Sequence, residues 1–335
     1  MTARAAPVKM SDVARHAGVA TITVSRALRT PQRVSPQVLA RVHAAVEATG
    51  YVPNLAAGTL KSQRSRIVAA IVPTLRNSIF AETAEGLAEA LDAHGYQLLL
   101  ANSGYSADAE ERILRNLLGQ QPDAVVLTGT VHTPRLRELL SGRRIPVVET
   151  WDLSDQPIDR VVGFSNLQGS RQLTHALAAR GHRRIVFVGT TDNERRAGER
   201  CAGYCQAMHE LGLAPDVFEI GGQPVSIGTG ARALAGLLQR GPLPDAACFL
   251  NDYLAFGALL ECQRQGLAVP GRIALAGFGD FEIAREASPS ITTVRVPGYA
   301  MGQVAARLIV ERLAGKADDA KEIDLGFEVV MRDSA

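Results

Sequence analysis

The sequence predicts an α/β protein: a two-lobed body of parallel sheets joined to a small three-helix head. Three observations carry that reading. Short, β-rich apolar runs at 67–73, 97–101, 123–128 and 145–149 alternate with helical stretches such as 81–94 and 110–118. A second series follows at 184–190, 217–221, 246–251 and 273–278, with helices at 196–211 and 253–265. Nearly continuous apolar strands alternating with helices mean parallel sheets covered on both faces, and two series of similar plan mean two lobes, with ligand contacts expected at the strand C-terminal ends. The third observation is the stretch before residue 67, which has no strand pattern and divides into three capped helical segments.

In the head, Ser11 stands where a capping hydroxyl belongs, and Val13, Ala14 and Ala17 share one helical face. Gly18 relieves a tight turn and Val19 plugs the corner. A second helix then carries Val24 and Leu28 on its apolar face, with Thr21, Ile22, Ser25, Arg26 and Arg29 on the remaining faces. A short, polar and basic second helix after a tight turn has the form that enters a DNA major groove. Ser35-Pro36 opens a third helix, Val38, Val42 and Val46 repeat along it, and Gly50 stops it. The segment from Pro53 to Ser65 holds helix formers (Leu55, Ala56, Ala57), but Gly58 weakens it, and a helix this short is marginal in water. It reads either as a segment that a DNA duplex orders or as a flexible tether whose Leu60 packs on the body.

Charge separates a nucleic-acid head from a protein-binding one. Residues 1–66 hold ten Lys/Arg and two acids, a net of +8; the other 269 residues hold 26 bases and 32 acids, a net of −6. The overall +2 thus conceals a strongly basic head on a mildly acidic body, which suits a phosphate-binding module tethered to a regulatory one.

The remaining composition bounds the class. A length of 335 residues with 46% hydrophobic and 21% charged is that of an ordinary globular protein of two or three domains. No apolar stretch approaches the roughly twenty residues of a membrane helix, and the N-terminus has no signal-peptide core, so a cytoplasmic protein is expected. Four cysteines make no disulfide framework. Cys201, Cys205 and His209 recur every four residues and could begin a zinc site, but no fourth ligand is evident; no metal or cofactor is expected.

Most candidate chemistry in the body sits just after strands. Trp151 and Asp152 end the fourth run; Asn251 and Asp252 end a strand and open a helix; Asp280 follows Gly-Phe-Gly after another. Arg200 lies in the helix after 184–190 and could clamp a carboxylate with two parallel hydrogen bonds. Taken singly, each is as well explained by capping or a surface ion pair. Together they form a kit for a polyol or sugar acid: an aromatic ring, acids for hydroxyls and a guanidinium for a carboxylate. Gly228-Thr-Gly-Ala-Arg-Ala233 matches a dinucleotide fingerprint, but the preceding segment, with a proline and two glycines, is a poor strand. No other nucleotide, hydrolase or metalloprotease motif is present.

The order of parts resembles the lactose/purine repressor (LacI) family of bacterial transcription regulators. The resemblance is carried by Asp12-Val-Ala with Ala17-Gly-Val, Thr23-Val-Ser-Arg26, Tyr51-Val-Pro-Asn54 and Leu60-Lys61 in the head. In the body it is carried by Gly181-His-Arg-Arg-Ile185, Arg200-Cys-Ala-Gly-Tyr204 and Asn251-Asp252, while Glu149-Thr-Trp-Asp152 and 157–165 resemble the gluconate-utilisation repressor branch. The resemblance implies a helix-turn-helix DNA-binding head (1–52), a hinge helix and linker (53–66), and a periplasmic-binding-protein-like effector-binding and dimerisation domain (67–335). Its N-lobe would hold about 67–162 and 294–322, and its C-lobe about 163–293 and 323–335. It implies DNA contacts from Thr21, Ile22, Ser25, Arg26 and Arg29, and from Asn54, Ala57, Leu60 and Lys61 of the hinge, with Leu60 wedging the central minor-groove step. Effector contacts are implied for Trp151, Asp152, Phe164, Arg200, Asn251, Asp252 and Asp280. Partners implied are a near-palindromic double-stranded DNA operator, a sugar-acid effector and a second copy of the chain. Ala20 departs from the small hydroxyl residue common at the recognition-helix N-cap. Two competing functions share parts of this pattern. A sugar-binding transport protein shares the two-lobed body but predicts an export signal and no basic head, and a nicotinamide enzyme needs the missing strand.

Overall fold

In the computed structural model the chain is described at residues 8–52, 64–75, 78–143, 145–190, 195–316 and 320–335, excluding the side chains of Arg29 and Ser78. It divides into two compact units, Met1–Ser65 and Arg66–Ala335.

The first unit holds helices α1 (Met10–Ala17), α2 (Thr21–Arg29) and α3 (Pro36–Thr49). Val13, Val24, Val42 and Ala45 are fully buried and form its core, with Val19, Leu28, Val38 and Val46 packed around them. Gly18 and Gly50 adopt left-handed backbones, φ +61° and +62°, as helix ends favour. The first cap differs from expectation. Lys9, not Ser11, is the N-cap; Asp12 reaches back to accept the Lys9 N–H at 2.9 Å, and Ser11 falls inside the helix.

The second unit opens with β1 (Ile67–Val72), α4 (Ala81–Asp92), β2 (Gln97–Asn102), α5 (Ala107–Leu118), β3 (Ala124–Thr128), α6 (Pro134–Ser141), β4 (Val147–Thr150) and β5 (Arg160–Gly163). These strands make a parallel sheet ordered β11-β5-β4-β3-β1-β2, where β11 (Glu322–Asp324) returns from the far end of the chain. Alternation on β1 shows how it is covered. Val68, Ala70 and Val72 face the large core, while Ala69 and Ile71 face a second core with Leu114, Leu127 and Leu136.

The chain then runs through α7 (Asn166–Ala179), β6 (Ile185–Gly189), α8 (Arg195–Glu210), β7 (Asp216–Glu219), α9 (Ile227–Arg240), β8 (Ala246–Phe249), α10 (Asp252–Arg264), β9 (Ala274–Ala276) and the short α11 (Glu282–Glu286). These give a second parallel sheet, β7-β6-β8-β9. After β10 (Thr293–Arg295) the chain re-enters the first lobe as α12 (Gly298–Leu313), which packs on α4. The region 322–331 holds two strands in different places. β11 joins the first sheet, and β12 (Glu328–Val330) pairs antiparallel with β10. The turn between them, with Gly326 at φ +69°, redirects the chain.

The Gly228–Ala233 pattern lies inside α9, whose N-cap is Ser226. A side chain at Gly230 would strike the Leu254 backbone, and one at Gly257 the Ile227 backbone. These glycines therefore serve the close crossing of α9 and α10, not a nucleotide turn. Cys201 and Cys248 are buried, and desolvation pushes both thiols up to about 12. Among the described residues no group of three or more potential ligands could hold a metal ion, and no helix is long and apolar enough to cross a membrane.

Candidate functional site

On the head, α2 presents Thr21, Ile22 and Arg26 to solvent, Ile22 at 56% exposure. An exposed isoleucine beside an exposed arginine on a short basic helix is a poor surface for water alone and a good one for base edges, where the apolar group can meet a thymine methyl. Ser25 corrects the expectation of an outward contact, since it is only 8% exposed and follows Val24 into the buried side. Ala20 occupies the N-cap and makes no side-chain cap hydrogen bond. Arg29 ends the helix, and Asn54, Ala57, Leu60 and Lys61 lie outside the described residues.

In the second unit the strand C-terminal ends of both sheets converge on a cleft. Its first chamber, about 460 Å³, is walled by Phe80, Trp151 and Phe278 on its apolar sides and by Arg196, Arg200 and Asn251 on its polar ones. Trp151 follows β4 at φ +71°, a backbone conformation rare for a bulky residue, and its ring meets Phe80 edge-on at 4.9 Å. Its indole N–H donates to Thr83 Oγ1 at 3.1 Å. Tyr105 and Asp280, at φ +62° and +59°, also flank the cleft region in left-handed backbones, the kind of strain that surrounding structure holds in place at functional sites.

Arg200 is clamped rather than loose. Its Nε donates to Asn166 Oδ1 at 2.9 Å, its Nη1 donates to the Leu250 carbonyl at 2.8 Å, and the guanidinium stacks on Phe278. Asn166, fully buried, also donates its amide to the Trp151 carbonyl at 3.0 Å and so ties the two lobes' key residues together. Arg196, 6% exposed, lies against Phe80 at 5.4 Å. Neither Asn166 nor Arg196 was singled out from sequence. The signal for Arg196 was present, in two consecutive arginines opening the helix after β6.

The expected acids sit differently. Asn251 lines the chamber while its Oδ1 accepts the Leu254 N–H at 3.1 Å as the N-cap of α10. Asp252 is fully buried beneath it. Its oxygens accept from Thr293 Oγ1 at 2.6 Å and the Phe281 N–H at 2.8 Å, and burial pushes its carboxyl up to about 6. Asp280 is also turned inward, within 2.6 Å of both Arg295 and Arg332, so its charge is already neutralised. Phe164 is fully buried between Trp151 and Phe278, at 6.0 and 6.2 Å, and supports the wall from behind. Thus Trp151, Arg200 and Asn251 meet in this chamber, and Asp252, Asp280 and Phe164 do not line it.

Asp152 lines a second chamber of about 620 Å³, in which Tyr105 and Arg196 recur as walls. Its Oδ2 accepts from Thr130 Oγ1 at 3.1 Å and lies 3.4 Å from Arg195 Nε. Glu110 shares this chamber, and behind it His132 is buried between Glu110 and Glu149. Glu110 and His132 had no sequence signal, because 22 residues separate them and only the packing of the first lobe brings them together.

Residues 9–54 match the family described as bacterial regulatory proteins, lacI family, and residues 174–335 match a periplasmic binding protein-like domain. The chain is 38% identical over 318 residues to the HTH-type transcriptional regulator GntR of Escherichia coli K12, covering 95% of this chain and 96% of that protein. Among solved structures, a LacI-family transcriptional regulator from Silicibacter pomeroyi is similar with a TM-score of 0.89 at 32% identity, over 98% of this chain and 99% of that one. The transcription regulator GntR from Chromobacterium violaceum is similar with a TM-score of 0.76 at 36% identity, over 80% of this chain and 98% of that one. A basic helix-turn-helix unit followed by a two-lobed body with a polar cleft is what such a regulator needs, and a transport protein has no use for the head. The chain belongs to the lacI family: it is a DNA-binding transcriptional regulator with a periplasmic-binding-protein-like effector domain, and not an enzyme.

Proposed function

We propose that the protein represses transcription as a homodimer on a near-palindromic operator and is released from it by a small sugar acid such as gluconate. The observation that carries the effector class is the pairing of two guanidiniums with aromatic rings in one chamber, Arg196 on Phe80 and Arg200 on Phe278. Guanidinium forks match a carboxylate, and the rings offer their faces to the carbon chain. Thr21, Ile22 and Arg26 would read base edges. Asn54, Ala57, Leu60 and Lys61 would form the hinge contacts, Leu60 wedging the central step. Release follows from a population shift: the effector binds a lobe-closed state more tightly than the operator-bound state and draws the protein from DNA.

The experiment is a gel shift on the fragment upstream of the protein's own gene, with and without gluconate, at two salt concentrations. A specific shift that weakens with gluconate and with salt is expected. A shift that gluconate strengthens would overturn release, and no specific shift would overturn the operator reading.

A further inference from the structure

Trp151 is tied to more of the molecule than the wall of a cleft requires. It is buried, and its polar groups end on three different helices. The indole N–H donates to Thr83 Oγ1 on α4 at 3.1 Å, and the backbone N–H donates to Met301 Sδ on α12 at 3.2 Å. The carbonyl accepts from Asn166 at the start of α7 at 3.0 Å. Together these bonds hold the left-handed backbone, φ +71°, that a bulky residue adopts only under constraint.

The first two of those helices are in close contact with each other. A side chain at Gly302 of α12 would strike the Thr83 backbone, and one at Gly86 of α4 the Tyr299 backbone, so the pair crosses backbone to backbone. Leu87 and Leu91 of α4 share a core with Val68 and Val72 of β1, the strand that follows the head in sequence. Thr83 is 7% exposed and lines neither chamber, yet it accepts from a residue that walls the first. A buried indole N–H needs an acceptor. A ligand that displaces the ring must therefore either move α4 with it or break the bond to Thr83. We propose that Thr83 is a positioning residue for the regulator's response, coupling the Trp151 wall of the cleft to the α4–α12 pair. Linkage is reciprocal, so operator binding acts back on Trp151. This rests on the repressor reading given above and not on the sugar acid.

The test is fluorescence of the full-length protein, excited beyond the tyrosine band. The chain has one tryptophan, so the emission reports on this position alone. The protein is titrated with the fragment upstream of its own gene and, separately, with gluconate. Operator binding should shift the parent's emission. Thr83→Val keeps the shape but not the oxygen; it should still retard the fragment in a gel and lose most of that shift. Thr83→Ser keeps the oxygen and should restore the shift. In quantitative gel shifts, the loss of operator affinity that gluconate causes should shrink by about threefold or more in Thr83→Val, the scale for a residue that touches neither ligand. The proposal is overturned if the parent's emission does not move on operator binding, or if Thr83→Val responds as the parent does. It is equally overturned if Thr83→Ser fails as Thr83→Val does, since shape and not the oxygen would then be at work. A parent that does not retard the fragment would sink the repressor reading and this proposal with it. A parent whose Trp151 senses the operator through Thr83 but ignores gluconate would sink only the sugar-acid reading.

Discussion

The guanidinium carbon of Arg200 lies over the Phe278 ring, 3.8 Å from its centroid, while its Nε and Nη1 are held by Asn166 and the Leu250 carbonyl. An arginine fixed on three sides loses little rotamer freedom when a ligand arrives, and a planar cation stacked on a ring has a defined direction for its fork. This arrangement separates charge from geometry. Arg200→Lys retains the positive charge but can neither stack as a plane nor donate through a fork. We expect Arg200→Lys and Arg200→Ala both to lose about 1.5–3 kcal/mol of gluconate affinity, the scale of a hydrogen bond to a charged group. Calorimetry checks it, and a lysine variant as tight as the parent would show that charge alone suffices.

The exposed face of α2 makes a separate prediction for the head. Arg26 can reach a guanine edge with two hydrogen bonds, whereas Ile22 offers only apolar contact. Arg26→Ala should cost about 1–3 kcal/mol in operator affinity and relax the preference at one base position. Quantitative gel shifts on operators varied one base pair at a time read both. Uniform loss across all sequences, with a shallower salt dependence, would instead make Arg26 a phosphate contact.

Asp252 distinguishes a supporting role from a ligand contact. Its buried carboxylate satisfies the Phe281 N–H and the Thr293 hydroxyl at the base of the cleft. Removing it leaves two buried donors without an acceptor, each costing about 1–3 kcal/mol. Asp252→Ala is therefore expected to lower unfolding stability by about 2–4 kcal/mol, and Asp252→Asn by less, since one amide oxygen remains. Urea denaturation measures the loss. Gluconate affinity in the Asn variant should stay within a few-fold of the parent, and a collapse there would return Asp252 to the ligand shell.

How far the site was legible follows from which residues depend on local pattern. The core of the head followed from helical spacing, because Val13, Val24 and Val42 face inward by periodicity alone. The strand-end positions of Trp151, Asn251 and Asp280 were equally readable, since ligand contacts cluster there in α/β lobes. Direction was not. Asp280 turns inward because Arg295 and Arg332 approach from β10 and the C-terminal segment, and no pattern around residue 280 encodes them. Asn166, which bridges Trp151 and Arg200, and the Glu110–His132–Glu149 cluster come from segments joined only when the sheets assemble.

His132 gives the last prediction, a dependence of stability on pH. Burial by itself would lower the imidazole, but the hydrogen bond with Glu110 and the nearby Glu149 carboxylate outweigh it and raise it from 6.5 to about 9. Arg137 on α6 is a further charged group against this cluster, 3.7 Å from the same Glu149 oxygen that faces the imidazole. A group that binds its proton more tightly when folded stabilises the fold most when the unfolded chain is protonated too. The contribution is therefore complete below about pH 6.5, shrinks as pH rises, and is gone above about 9. Its size is roughly 3 kcal/mol, from a shift of about 1.36 kcal/mol per unit. His132→Gln cannot titrate, so the stability difference between parent and variant in denaturant melts should fall steadily between pH 6.5 and 9. A difference that stays flat across that range would mean the imidazole is neutral in the folded protein, with the two carboxylates held by something other than its charge.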